Sequence, residues 1–255
     1  MLQLIDSHCH LDYPPLRERA DELIAQAGAH GIGRIVVPAT TAARWPDLVA
    51  LVRTRPTLAM ALGLHPVYLD DHRADDVPAL ADWVKRESPC AIGEIGLDYF
   101  VESLARDRQQ RLFEDQLTMA EQAQLPVILH VRRSHDATIA TLKRCKFRQA
   151  GIVHAFAGST EQAGEFIKLG FKLGFGGVMT FERARRVRKL ASCLPLDSIV
   201  LETDAPDMKP VGWPFEHNSP LALLANFRAL CALRTESPEL IAAATSANSR
   251  TVLRL

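Results

Sequence analysis

Short apolar runs alternate with longer amphipathic stretches along the whole chain. The runs are nearly continuous in apolar residues, without strict alternation with polar ones. That pattern is typical of parallel strands that are covered on both faces. The candidate strands are residues 2–6, 34–40, 58–66, 90–98, 125–131, 151–156, 170–179 and 198–206.

The stretches between these runs carry helical signals. Residues 15–31 repeat apolar residues at helical spacing, and residues 104–124 are charged on one side and rich in Leu, Phe and Met on the other. Residues 159–170 begin with Ser and Thr and stop at Gly, which are the signals of a capped helix. The tail, residues 219–254, predicts two further helices with a break around residues 235–239.

Strand and helix signals that alternate along the whole chain, in units of roughly 25 to 35 residues, predict an α/β fold, a (β/α)8 TIM-like barrel. An open doubly wound sheet makes the same local pattern, but it favours a Gly-rich phosphate loop after the first strand. Here that place holds S-H-C-H-L-D, residues 7–12. No linker rich in Pro, Gly or Ser interrupts the chain, so residues 1–255 are expected to form a single barrel domain.

Composition excludes several classes of function. Thirty basic and 30 acidic residues give a net charge of zero, so nothing draws the whole chain to nucleic acid or to an anionic membrane. This balance does not exclude a local basic patch. The five cysteines are irregularly spaced, which indicates a reducing compartment. No signal peptide and no apolar stretch near ~18 residues is found, so a cytoplasmic protein with no membrane or obligate protein partner is expected.

Six polar residues interrupt the apolar runs or follow them closely. Most lie at the C-terminal side of a strand, where the βα loops of a barrel gather catalytic groups. Cys9 separates His8 from His10. Because side chains alternate along a strand, His8 and His10 are expected to point the same way and Cys9 the other way. The six are His8, His10, Glu94, His130, His154 and Asp204.

This donor set predicts a metal centre. A single histidine in an apolar run is more often a core residue, but burying all six groups without partners would cost several kcal/mol. Imidazoles with carboxylates suit Zn²⁺, Mn²⁺, Ni²⁺ or Fe²⁺ better than the all-oxygen sites of Ca²⁺ or Mg²⁺. Six ligands are too many for one open tetrahedral site. We therefore expect two divalent cations that share a bridging carboxylate, with Mg²⁺ kept among the candidates.

The motifs around these residues resemble the TatD family of metal-dependent hydrolases, within the wider amidohydrolase superfamily. D-x-H-x-H is shared by many amidohydrolases, whereas G-E-x-G-L-D followed by E-T-D-x-P is far more specific to this family. The resemblance implies a TIM-like barrel with a two-metal centre. The motifs are D-S-H-C-H-L-D (6–12), G-E-I-G-L-D-Y (93–99), L-P-V-I-L-H-V-R (125–132), V-H-A-F (153–156), L-E-T-D-A-P (201–206) and N-S-P (218–220).

The resemblance also implies a role for each donor. Glu94 would bridge the ions, in the place where the wider superfamily often uses a carbamylated lysine. Asp204 would bind metal and activate the attacking water, so the catalytic residues are Asp204 and Glu94. One ion would be held by His8, His10, Asp204 and Glu94, and the other by Glu94, His130 and His154.

Phosphodiester cleavage at DNA or RNA ends is the activity that the resemblance implies. Arg132, Arg133 and the basic segment 181–190 supply positive charge after the fifth and seventh strands, either for phosphates or as a solvated helix face. His65 is a candidate for contact with a substrate oxygen or for a hydrogen-bonded structural role. Asp98 is a further candidate for substrate binding, with orienting a ligand or capping the next helix as the alternatives.

Two other classes of function stay open. The neutral chain fits a hydrolase of a small amide, ester or phosphoester, or of an aminoacyl-tRNA ester. A non-catalytic binding protein on an inherited barrel would show a distorted ligand set. The serine-hydrolase elbow, the H-E-x-x-H helix and the P-loop are absent from the sequence.

Overall fold

Eight parallel strands form one sheet in the order of the chain in the computed structural model, which describes residues 3–255. Their number and order confirm the predicted (β/α)8 barrel. Leu2, in the first candidate strand, lies outside the described residues. The strands are β1 (Leu4–Asp6), β2 (Ile32–Pro38), β3 (Leu58–Leu62), β4 (Ala91–Asp98), β5 (Val127–Arg132), β6 (Gly151–Val153), β7 (Phe171–Phe175) and β8 (Ile199–Leu201).

A helix follows each strand, as the amphipathic stretches predict. The helix of residues 159–170 begins with a capping box, because the Ser159 side chain and Gln162 each accept the other's backbone N–H. The helices are α1 (Ala20–Ala29), α2 (Trp45–Arg53), α3 (Asp76–Glu87), α4 (Arg106–Ala123), α5 (His135–Arg144), α6 (Thr160–Lys168), α7 (Arg185–Cys193), α8 (Leu223–Leu233) and α9 (Pro238–Leu253). Among the described residues, no helix is long and apolar enough to cross a membrane.

The seam between β1 and β8 closes the barrel. The backbone N–H of Ser7 donates to the carbonyl of Leu201 at 3.0 Å. The Asp6 carboxylate accepts the backbone N–H of Thr203 at 3.0 Å and its hydroxyl at 2.6 Å. Burial raises the pKa of Asp6 to about 8. These contacts join the first strand to the last, so the alternative of an open doubly wound sheet is excluded.

Two apolar layers hold the fold together. The larger layer lies between the strands and the surrounding helices. The smaller fills the barrel interior, where Val36, Ile128 and Val200 meet Val252 and Leu253 of α9. Helix α9 therefore plugs the N-terminal end of the barrel, and the opposite end is left for the site.

Several strands end earlier than the apolar runs predict. The run 151–156 contains a strand only over Gly151–Val153, and the run 198–206 only over Ile199–Leu201. Ala155 and Asp204 adopt positive φ values of 46° and 54°, which a β-strand does not allow. The chain therefore turns out of the sheet where the site begins, and apolar sequence alone does not signal these turns.

Candidate active site

The predicted donors of the first ion meet at the C-terminal end of the barrel. His8 Nε2 lies 3.2 Å from His10 Nε2 and 3.1 Å from Glu94 Oε2. Asp204 Oδ1 is 3.6 Å from His8 Nε2 and 3.7 Å from His10 Nε2. Cys9 points away into the outer apolar layer, as the alternation predicts. Four donor atoms from three parts of the chain thus face one point.

A bulge in β4 aims Glu94 into the barrel. The register of β4 against β5 shifts between Ile92 and Ile95, and both isoleucines pack in the outer layer. Two outward residues three positions apart leave room for an inward carboxylate between them. Glu94 is 1% exposed. The bulge explains how a residue from the middle of a strand reaches the rim.

A second group of donors surrounds the other oxygen of Glu94. His130 Nδ1 lies 3.0 Å from Glu94 Oε1, and His65 Nε2 lies 3.2 Å from the same oxygen. His154 instead stacks on His8, with ring centroids 3.7 Å apart, and its Nε2 is 3.5 Å from Asp204 Oδ2. His65 thus takes the place beside His130 that the resemblance gives to His154, whose role toward the second ion remains a prediction.

The hydrogen bonds of His65 favour a donor rather than a metal ligand. The backbone N–H of Val67 donates to His65 Nδ1 at 3.1 Å, so the ring hydrogen of neutral His65 sits on Nε2. Burial lowers the pKa of His65 to about 4, which keeps the ring neutral. His65 Nε2–H therefore points toward Glu94 Oε1 and His130 Nδ1, both at 3.2 Å, and its role toward a substrate oxygen stays a prediction.

Asp98 orients His130 by contacting the ring nitrogen that faces away from Glu94. Its Oδ2 lies 2.9 Å from His130 Nε2, and its Oδ1 accepts the backbone N–H groups of Phe100 and Val101. This contact places the hydrogen of His130 on Nε2 and leaves the Nδ1 lone pair facing Glu94. Asp98 is fully buried and does not line the cavity. Its position fits the orienting role better than the predicted substrate contact.

Glu202 is the carboxylate next to His154 and forms an ion pair with it. Its Oε1 lies 3.1 Å from His154 Nδ1 and accepts the backbone N–H of Ala155 at 2.6 Å. Glu202 was not singled out from the sequence, although it lies two residues before Asp204 in the motif L-E-T-D-A-P. Strand alternation does not apply to this pair, because β8 ends at Leu201 and Asp204 has a positive φ.

The donor set fits divalent cations. Within residues 3–255, no Lys or Arg nitrogen lies within 4.0 Å of the Glu94 or Asp204 carboxylates, whose ion-pair partners are all histidines. Buried carboxylates need a positive partner, and cations held between them and the imidazoles supply one. Three overlapping donor groups are present, namely His8–His10–Asp204, His8–Glu94–His154 and His65–Glu94–His130.

Gly174 makes room for Glu202. A Cβ at this position would lie 2.2 Å from Glu202 Oε2, closer than side chains tolerate. We expect Gly174→Ala to displace Glu202, so that His154 loses its partner and metal affinity and turnover fall about 10- to 100-fold, as when such supporting groups are removed elsewhere. Isothermal titration with Mn²⁺ and steady-state kinetics measure both.

The matched control for Gly174→Ala is Gly164→Ala on α6. Its new Cβ has open space, and alanine stabilises a helix interior by roughly 0.5–1 kcal/mol relative to glycine. We expect this control to keep metal affinity and turnover. A Gly174→Ala protein that binds metal like the wild type would show that Glu202 does not support the site.

A cavity of about 850 Å³ opens above the donors. His10, Glu94, His130, His154 and Asp204 form part of its lining. Its volume is in the range of small-molecule sites. Aromatic, basic and polar residues surround the donors, including Tyr13, Thr40, Tyr68, Arg132, Arg133, His135, Gln162 and Arg186.

The basic residues near the mouth differ in position. Arg132 and Arg133 both line the cavity, and their contacts to phosphates stay a prediction. Of the basic segment 181–190, only Arg186 is among the cavity residues, and Arg188 donates to the Met179 carbonyl. Most of that segment therefore fits the predicted solvated helix face, with Arg186 as the exception.

The barrel and its mixed imidazole–carboxylate donor set define a metal-dependent hydrolase. The chain belongs to the TatD family, because the family model described as TatD related DNase matches residues 5–254. It is 40% identical to the metal-dependent hydrolase YjjV of Escherichia coli K12 over 99% of this chain and 98% of that protein. A metal-dependent hydrolase of Haemophilus influenzae is 38% identical over 97% of this chain and 98% of the relative.

Solved structures agree with this placement. The crystal structure of YjjV, a TatD homologue, superposes with a TM-score of 0.96 at 40% identity and covers 100% of this chain and 99% of that one. A TatD family hydrolase from Entamoeba histolytica superposes with a TM-score of 0.89 and covers 98% and 97% of the two chains, at 17% identity. The second likeness supports the fold alone.

Proposed function

We propose that the protein is a nuclease of the TatD type, which hydrolyses phosphoester bonds of DNA or RNA with two bound divalent ions. The observation that carries the proposal is the pairing of the donor cluster with Arg132, Arg133 and Arg186 at the mouth of the same cavity. Guanidinium groups recognise phosphate through two parallel hydrogen bonds. The family description, TatD related DNase, points the same way.

The ions would be held as the resemblance implies, by His8, His10, Asp204 and Glu94 on one side and by Glu94, His130 and His154 on the other. When bound, a metal pair polarises phosphoryl oxygens and lowers the pKa of water toward neutrality. Glu94 is suited to bridging because its two oxygens face the two donor groups separately.

Asp204 is the proposed general base. Burial by itself raises its pKa, but the imidazoles of His154, His8 and His10 outweigh burial and lower the pKa. The carboxylate is therefore ionised at neutral pH and can accept a proton at Oδ2, the oxygen that does not face His8 and His10. Its positive φ is a strained conformation of the kind that clusters at active sites.

His65 and Arg132 are proposed to bind the substrate. His65 Nε2–H is a neutral donor next to Glu94, which suits a phosphoryl oxygen of the bound substrate. Arg132 lies at the mouth with half of its side chain exposed, so its guanidinium is accessible to a phosphate.

A hydrolase of small amides, esters or phosphoesters is the second candidate, with an aminoacyl-tRNA ester as a further substrate of this kind. Two observations favour it. The net charge of zero gives no general attraction to nucleic acid, and a cavity of about 850 Å³ has the volume of a small-molecule site. Such a substrate would contact the metal-binding residues and the cavity around them, and would not need a basic surface outside the cavity.

One experiment separates the two candidates. Metal-reconstituted protein is incubated at low salt with end-labelled single-stranded DNA and RNA, and in parallel with a panel of amides, lactones and small phosphoesters. We expect release of mononucleotides from the labelled strands. Intact strands together with rapid turnover of a panel compound would replace the nuclease by the second candidate.

A further inference from the structure

Arg132 and Arg133 are consecutive residues whose guanidinium groups rest on the same aromatic ring. The guanidinium carbon of Arg132 lies 3.7 Å from the ring centroid of Phe100, and that of Arg133 lies 4.7 Å from it. Successive side chains of a strand point to opposite faces, so an extended continuation of β5 would separate the two arginines. Some local feature must bring them together.

The backbone of Arg133 is that feature. Its φ of 54° lies in the left-handed region, which residues other than glycine rarely adopt. Glycine would fit this conformation better, yet the chain places an arginine there. Unlike Ser88, Gln124 and Arg254, which adopt positive φ values as helix C-caps, Arg133 lies at the end of β5 beside the site. Both arginines are among the residues that line the cavity.

The two charges are not neutralised by the protein. Within residues 3–255, Asp98 is the sole carboxylate within 4.0 Å of either guanidinium, and its Oδ2 lies at that limit from Arg132 Nη1. The same oxygen is already 2.9 Å from His130 Nε2. Two cations held on one ring repel each other unless an anion binds between or beside them. The pair therefore suits a phosphate, which accepts several guanidinium hydrogen bonds.

We propose that Phe100, Arg132 and Arg133 form a phosphate clamp for a second phosphate of the substrate strand, next to the one that is cleaved. The clamp rests on the proposed nuclease function and narrows its substrate to strands with at least two phosphates. Arg132 contacts Asp98, Asp98 contacts His130, and His130 contacts Glu94. The clamp is therefore separated from Glu94 by the ring of His130, which is why it is assigned to a neighbouring phosphate and not to the one that is cleaved. Phe100 is a positioning residue, because it holds the guanidinium groups and does not line the cavity.

The test compares three substrates that share one scissile bond. They are the thymidine dinucleotide with a single phosphodiester and its 5′-phosphorylated and 3′-phosphorylated forms. We expect the metal-reconstituted wild type to cleave one phosphorylated form with a kcat/KM about tenfold above that of the unphosphorylated dinucleotide, mainly through a lower KM. The preferred form also tells on which side of the scissile bond the clamp lies.

Variants assign this preference to the clamp. Phe100→Ala removes the ring and is expected to bring the ratio of kcat/KM values to about one, while Phe100→Tyr keeps the ring and the preference. Arg133→Gly removes a guanidinium at a backbone conformation that suits glycine, so this variant stays folded and is expected to lose the preference as well.

Arg106→Ala is the matched control for the loss of a stacked guanidinium. The guanidinium carbon of Arg106 lies 4.5 Å from the ring centroid of Tyr99, but Arg106 does not line the cavity. We expect Arg106→Ala to keep both turnover and the preference. Equal cleavage of all three substrates by the wild type would overturn the clamp and leave the nuclease standing. Cleavage of none of them, with bound metal verified, would overturn both proposals.

Discussion

Asp204→Asn is expected to lower kcat by about 10³-fold while the protein keeps its fold, because a positioned general base contributes roughly 10²–10⁴-fold to a rate. The amide keeps the shape of the side chain but cannot accept the proton from water, and it is a weaker partner for His8, His10 and His154. Steady-state kinetics on the best substrate measure the loss, and circular dichroism verifies the fold.

Asp207→Asn is the matched control for this prediction. Asp207 also borders the cavity and loses the same charge on substitution, but it belongs to none of the three donor groups. We expect it to keep turnover within about threefold, since surface charge acts mainly through screened long-range fields. An Asp204→Asn enzyme as active as Asp207→Asn would remove Asp204 from its proposed role.

Removing metal is expected to abolish activity and to lower the Tm. A ligand that binds only the folded state stabilises it by about 2.7 kcal/mol at 100 times its Kd. For a chain of this size that corresponds to roughly 5–10 °C. Without cations, the buried carboxylates of Glu94 and Asp204 have only imidazoles to neutralise them. Activity and Tm are measured after chelation and again after adding back Mn²⁺ or Zn²⁺, which should restore both.

Glu94→Gln provides the control for metal removal. This variant lacks the carboxylate whose two oxygens face both donor groups, so its Tm is expected to respond little to chelation or to added metal. A wild-type protein that keeps full turnover after complete chelation would contradict the metal-dependent reaction.

The order of strands and helices was predictable, because hydrophobic periodicity reflects burial against neighbouring layers. The meeting of His8, His10, Glu94 and Asp204 was also predictable, since a barrel brings the C-terminal ends of its strands to one rim. What the sequence did not show depends on backbone geometry. The bulge that turns Glu94 inward and the left-handed turn at Arg133 cannot be predicted from the pattern of apolar residues.

The supporting residues were harder to predict than the ligands. Glu202 and Asp98 act by contacting His154 and His130, and such pairs are fixed only when strands far apart in sequence are aligned. His135, the first residue of α5, lines the cavity together with Arg186, which the apolar pattern does not signal.

We infer that the imidazoles and carboxylates at the C-terminal end of the barrel hold two cations bridged by Glu94. Anomalous diffraction from crystals grown with Mn²⁺ tests this inference directly. We expect two peaks within about 2.0–2.3 Å of the Glu94 oxygens. One peak should also contact His8, His10 and Asp204, and the other His130 and His154. A single peak, no peak, or ions bound away from Glu94 would contradict it.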